Sequence, residues 1–258
     1  MIGQAVHQPE HLQQDPYAAA RGLMIEEQLH RRGVVLHSVL DAMREIPRHL
    51  FVAYEYADRA YADEALPSQE GQTISQPYIV AVMTQELAVR PGHRVLEIGT
   101  GTGYQTAVLA YLVTPGTANA PSVGDSHAAA HGVVCTIERV PALAEFARHR
   151  LEAMDVRNVR FHVGDGSTGW PLDDAEWNGP RSTTGEPLFD RILLTAGAPE
   201  LPAPLLAQLA EGGILVGPIG TSESQTLTRV VRHGLEYSQT QVLSCRFVPL
   251  VGSHGWHE

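Results

Sequence analysis

Residues 94–113 read RVLEIGTGTGYQTAVLAYLV. The apolar run Arg94–Ile98 predicts a buried strand, Gly99, Gly101 and Gly103 a tight turn, and Tyr104–Val113 a helix. Glycines let the backbone turn sharply and come close to a ligand. Strand, glycine turn and helix in this order form the unit that nucleotide-type cofactors favour. On their own these glycines specify only a tight connection. Their spacing is G-x-G-x-G, with Tyr104 standing where G-x-G-x-x-G places its last glycine, and this argues against a dinucleotide.

Downstream, strands and helices alternate. Val133–Ile137, Val159–Val163, Phe189–Thr195 and Gly213–Gly217 read as strands, with helices over Pro141–Ala153 and Pro202–Ala210. Period-two alternation in Thr226–Arg232 and Gln241–Val248 adds antiparallel strands. Upstream, Ala18–Arg32 reads as a helix stopped by Gly33, and Val35–Ile46 as a second helix broken by Pro47. The expected fold is an α/β sandwich with a mostly parallel sheet, a helical cap before it and antiparallel strands after it. Residues 1–258 are expected to form one domain, with 1–70 as lead-in and cap and 71–258 as the core. Two irregular stretches, 114–132 and 173–187, read as insertions.

Acidic residues stand at successive strand ends. Glu138 closes the second strand, where a carboxylate can accept both ribose hydroxyls of an adenosine-type ligand. Asp165 closes the third, where it or the Gly166 backbone can meet an adenine edge. An isolated acid in such a place is most often a solvated loop residue, but three in sequence favour a ligand site. Glu97, inside the first strand, is placed to face the amino group of a cationic ligand, since burial without a partner is costly.

Bulk properties narrow the partners. Lys and Arg number 18 and Asp and Glu 29, a formal charge of −11, which disfavours nucleic acid and anionic membranes. No apolar run reaches membrane-spanning length and no signal peptide is evident, so a cytoplasmic monomer is expected. Cys135 and Cys245 fall in strands, as small buried hydrophobes do, and reduced thiols are expected. His127 and His131 have i, i+4 spacing but no third ligand in view, and no metal site is expected. Trp170 and Trp177 read as local packing, and Arg148, His149 and Arg150 as the outer face of a helix.

About twenty residues before the glycine turn stands Gln72-Thr73-Ile74-Ser75-Gln76-Pro77. Ser75 reads as the N-cap of a helix running to Val89, with Pro77 in its first turn. Together, GQTISQPY, VLEIGTGTGYQT, FDRILLTAGAPELP, LAEGGILVGPIG and RFVPL strongly resemble the protein-L-isoaspartate O-methyltransferases, from about Ala20 to Leu250. The resemblance implies a class I, Rossmann-like methyltransferase fold, S-adenosyl-L-methionine as donor and an isoaspartyl residue of a protein or peptide as acceptor.

By position, the resemblance puts Gln72, Thr73, Ile74, Glu97, Gly99, Gly101, Gly103, Glu138, Asp165 and Gly166 at the cofactor. It makes Ser75 the active-site residue and sets Ser75, Gln76, Phe247 and Val248 on the acceptor side. Some relatives carry a histidine where this chain has Val80. Chemistry assigns Ser75 an orienting role, because a carboxylate ionised near pH 7 needs no base to become a nucleophile. Two rival readings stand beside this one. One is an enzyme that methylates an aspartyl side chain during peptide natural-product maturation, and the other is a non-catalytic S-adenosylmethionine-binding module. The intact run Gln72–Pro77 argues against the latter.

Overall fold

A computed structural model of the chain describes residues 15–116 and 132–257. The N-terminal cap holds helices α1 (Ala18–Leu23) and α2 (His37–Glu45), joined by a π-helical turn over Met24–Leu29 and a 3-10 turn ending at Gly33. A short antiparallel pair, β1 (Leu66–Pro67) and β2 (Thr73–Ile74), leads to α3 (Pro77–Leu87). The core then runs β3 (Arg94–Ile98), α4 (Tyr104–Val113), β4 (Val133–Glu138), α5 (Pro141–Ala153), β5 (Val159–Val163) and β6 (Phe189–Leu194). It closes with α6 (Ala203–Ala207), β7 (Leu209–Gly220), β8 (Gln225–His233) and β9 (Glu236–Cys245).

The seven long strands form one sheet in the order β5-β4-β3-β6-β7-β8-β9. Pairings from β5 through β7 are parallel, and β8 and β9 are added antiparallel. Period two sorts the central strands between two apolar layers. Val95, Val134, Leu193 and Val216 join the cap and α3 and α4 on one face. Leu96, Ile98, Cys135, Ile137, Ile192 and Leu215 join Trp170, Trp177, Leu205 and Leu250 on the other. Both faces of β3 are thus covered, which is why its sequence is a continuous apolar run.

The structure differs from expectation at several ends. Gln76, with φ −51° and ψ 137°, is the N-cap of α3, and no side chain caps that helix. Proline at N1 sets the start, because its fixed φ suits the first helical position and it has no N–H to leave unbonded. Ser75 therefore lies outside the helix. β7 runs through Gly212, Gly213 and Pro218, so it begins inside the stretch expected as helix, and α6 stops at Ala207. β9 ends at Cys245, which leaves Phe247 and Val248 in the irregular segment that follows. The stretch 173–187 packs at the amino-terminal ends of the strands, with Trp177 and Phe189 ring centroids 5.0 Å apart.

Candidate active site

In this strand order, connections from β3 lead outward through β4 to β5, and those from β6 lead the opposite way through β7. Such a reversal opens a crevice at the carboxyl ends of the strands. A cavity of about 350 Å³ lies there, lined by the turn after β3, by Glu138, Gly166 and Thr195 after β4, β5 and β6, and by residues 71–75 and 248–251. Gly99, Gly101 and Gly103 take φ of 97°, 54° and 88°, left-handed values that side chains resist. Thr195 locks the turn: its hydroxyl shares one proton between the carbonyls of Ile98 (2.9 Å) and Gly99 (2.7 Å). The Glu138 carboxylate accepts the N–H groups of Gly101 (2.9 Å) and Val140 (3.0 Å), one on each oxygen. Each oxygen keeps a lone pair for a further donor.

Glu97 lies behind the turn. It is fully buried, and its Oε2 accepts the hydroxyls of Thr106 (2.6 Å) and Thr136 (2.7 Å), while Oε1 has no partner among the described residues. Thr136 in turn bonds Thr100 (2.7 Å), which joins the glycine turn to the carboxyl through hydroxyls. Burial pushes the Glu97 carboxyl up to about 7.

A second cavity, about 720 Å³, adjoins the first and is lined by Gln76, Ile79, Phe247 and residues 63–65 among others. Thr73, Ser75, Thr195, Val248 and Pro249 line both, so they form the partition. Ser75 is half-buried, and among the described residues its hydroxyl makes no hydrogen bond.

The structure brings Gln72, Thr73, Ile74, Ser75, Gly99, Gly101, Glu138, Gly166 and Val248 onto the wall of the smaller cavity, with Gln76 and Phe247 on the larger. It sets Glu97, Gly103 and Asp165 behind that wall. Gly103 caps α4 and packs against Ala147. Asp165 turns its carboxylate away from the cavity. One oxygen accepts the Ser167 N–H (2.9 Å) and hydroxyl (2.6 Å), and the other the Ser253 N–H (2.7 Å). These bonds hold its pKa below the usual carboxylate range despite the opposing effect of burial. Sequence reasoning missed Thr195, although it follows a parallel strand just as Gly99 and Glu138 do. Val80, at the position where some relatives carry histidine, is a buried part of the wall. His127 and His131 lie outside the described residues; among the described residues no cluster of metal-ligating side chains occurs, and no helix is long and apolar enough to cross a membrane.

The family model for protein-L-isoaspartate(D-aspartate) O-methyltransferase (PCMT) matches residues 20–255. A protein-L-isoaspartate O-methyltransferase of Syntrophotalea carbinolica is 46% identical over 243 residues, covering 94% of this chain and 98% of that protein. One from Methanospirillum hungatei is 44% identical over 233 residues, covering 90% and 94%. A solved protein-L-isoaspartate O-methyltransferase superposes with a TM-score of 0.73 at 29% identity, covering 91% of this chain and 67% of its own. A Plasmodium falciparum structure described as a complex with S-adenosyl-L-homocysteine shares the fold, with a TM-score of 0.70 at 24% identity, covering 90% and 98%. With a glycine-lined crevice at the sheet's reversal point and matches along nearly its whole length, the chain belongs to the protein-L-isoaspartate(D-aspartate) O-methyltransferase family.

Proposed function

We propose that the chain methylates the α-carboxylate of isoaspartyl residues in proteins and peptides, with Ser75 holding that carboxylate at the partition between the two cavities. The donor, S-adenosyl-L-methionine, supplies an electrophilic methyl group on a sulfonium. The smaller cavity fits it: the left-handed glycines let a ligand approach the backbone, and both oxygens of Glu138 retain acceptor capacity toward ribose hydroxyls. Gln72, Thr73 and Ile74 close that cavity over the donor, and Gly166 offers its backbone beside them.

The acceptor α-carboxyl has a reference pKa of roughly 3.3–3.7 and is ionised at neutral pH. One carboxylate oxygen forms the bond to the methyl carbon as the carbon–sulfur bond breaks, giving a neutral ester. No proton moves, so alignment is the protein's main task, and orientation is able to supply up to about 7–11 kcal/mol. The ester then closes on the next backbone nitrogen with loss of methanol. Hydrolysis of the resulting succinimide returns part of the residue as aspartate, which is repair.

The observation that carries this reading is the Ser75 hydroxyl, unbonded among the described residues and on the wall common to both cavities. Since Gln76 is the N-cap of α3, Ser75 has no capping role to compete with this one. Ser75→Ala is expected to lower kcat/KM on an isoaspartyl peptide about 10- to 100-fold, the worth of a hydrogen bond to a charged group. Labelled donor and a paired aspartyl peptide make the assay, and near-normal turnover refutes the assignment.

We read the chain as one domain, because among the described residues a single apolar cluster joins Met24 and Met43 of the cap to Val95 and Val216 of the sheet. Cys135 and Cys245 lie on β4 and β9, five strand spacings or roughly 24 Å apart, too far for a disulfide.

A further inference from the structure

Behind the Ser75–Gln76 peptide lies a buried cation that the reading above leaves unused. Arg48 begins a short 3-10 turn, Arg48–Phe51, and is 0% exposed. Its Nε donates to the carbonyl of Ala60 (2.7 Å) and its Nη2 to the carbonyl of Ser75 (2.8 Å). Among the described residues Nη1 has no hydrogen-bond partner, and neither has the hydroxyl of Tyr104, whose ring centroid is 5.0 Å from the guanidinium carbon. Arg48 makes no ion pair with a carboxylate among the described residues. Burial lowers its pKa to about 10, so it stays charged at neutral pH. A buried charge without a carboxylate partner is costly, and the Tyr104 ring beneath it offsets only part of that cost.

The geometry of one peptide unit shows where that charge acts. The described peptide bonds are all trans, so the Gln76 N–H points opposite to the Ser75 carbonyl that Arg48 grips. Pro77, next in sequence, has no N–H. The Gln76 N–H makes no hydrogen bond among the described residues, and Ser75 and Gln76 line the larger cavity. A cation bound to the carbonyl end of a peptide polarises it and strengthens the N–H at the other end.

We propose that Arg48 is a positioning residue for the acceptor. It fixes the Ser75–Gln76 peptide so that the Gln76 N–H and the Ser75 hydroxyl together hold the incoming carboxylate. Its uncompensated charge makes that holder selective for an anion. This rests on the reading of Ser75 as the carboxylate holder.

The test is a binding ratio, measured by calorimetry on enzyme saturated with S-adenosylhomocysteine, which carries no sulfonium charge. Two peptides are compared, one with the isoaspartyl α-carboxylate and one with an α-carboxamide in its place. Wild-type protein is expected to prefer the carboxylate by about 10-fold or more, Arg48→Lys to keep most of that preference, and Arg48→Gln to reduce it below about 3-fold. Affinity for S-adenosylhomocysteine is expected to stay within about 2-fold in both variants, which a general loss of structure would not allow. A ratio unchanged in Arg48→Gln, with only thermal stability lowered, makes Arg48 a structural tie and overturns the proposal. Where Arg48→Gln does not fold, a wild-type ratio near one, or a ratio lost in Arg48→Lys, overturns it equally. Ser75→Ala keeps the two readings apart. Normal turnover there, with the ratio lost in Arg48→Gln, removes the Ser75 hydroxyl and leaves Arg48 acting through the Gln76 N–H.

Discussion

Replacing Glu97 by glutamine should change how stability depends on pH. In the folded protein burial raises the Glu97 carboxyl from 4.5 to about 7. A raised pKa means that the folded state holds the proton more tightly than the unfolded chain. The stability this contributes is complete below the unfolded value and is lost as pH rises through the folded one. The gap of about 2.5 units corresponds to roughly 3 kcal/mol, most of it lost between about pH 5 and pH 8. In Glu97→Gln the amide oxygen still accepts from Thr106 and Thr136, and the amide nitrogen takes the place of the unpartnered Oε1. That nitrogen carries a pH-independent cost of about 1–3 kcal/mol. His93, which burial pushes down to about 4, titrates in both proteins and cancels in the comparison. Urea unfolding of both proteins without ligand, at four values across this range, gives the difference in unfolding free energy. Wild type should lose about 2–3 kcal/mol relative to the variant between the acid and alkaline ends. A difference flat to within about 0.5 kcal/mol would mean that Glu97 is not held protonated by burial.

Gly99→Ala places a methyl group onto the Thr195 hydroxyl at a backbone φ of 97°, so about 2–4 kcal/mol of stability should be lost. In thermal melts a further Thr195→Ala change should recover the steric part, less the hydrogen bonding to the Ile98 and Gly99 carbonyls that it removes, and leave the backbone strain; no loss in the single variant would contradict the turn geometry. Asp165→Ala frees the N–H groups of Ser167 and Ser253, and hydrogen exchange should accelerate at Ser253 and His254 while the amides of β3 stay protected. Equal loss of protection in β3 would show that the clamp is not local.

The elements that sequence located well are those bounded by strong local chemistry. β3, α4, α5 and β5 have the expected limits, because glycines and prolines stand at their ends and their apolar runs have one clear period. Ser75 was misplaced as a cap because serine is a good capping residue, and only the φ of Gln76 and the ring of Pro77 decide otherwise. β7 escaped because Gly212, Gly213 and Pro218 read as breaks, while tertiary pairing with β6 and β8 carries the strand through them. At the site, the glycine turn, Glu138 and the run 72–76 were legible since each lies beside its own strand or helix. The Asp165 clamp depends on Ser253, 88 residues away, and Arg48 on a carbonyl 27 residues away. A basic residue between a proline and a histidine gives no sign of burial, since arginine is usually exposed.

Thr73, Ser75, Thr195, Val248 and Pro249 line both cavities, so in the proposed reaction donor and acceptor meet in direct contact along this shared rim instead of occupying insulated sites. Their affinities are then linked, and by reciprocity whatever the bound donor adds to acceptor binding the acceptor adds to donor binding. The linkage has a sign. A sulfonium on one side attracts the carboxylate on the other, and methyl transfer erases both charges in the same step. What was a mutually reinforcing pair becomes a neutral thioether beside a neutral ester, and the close approach that favours assembly of the reactants ceases to favour retention of the products.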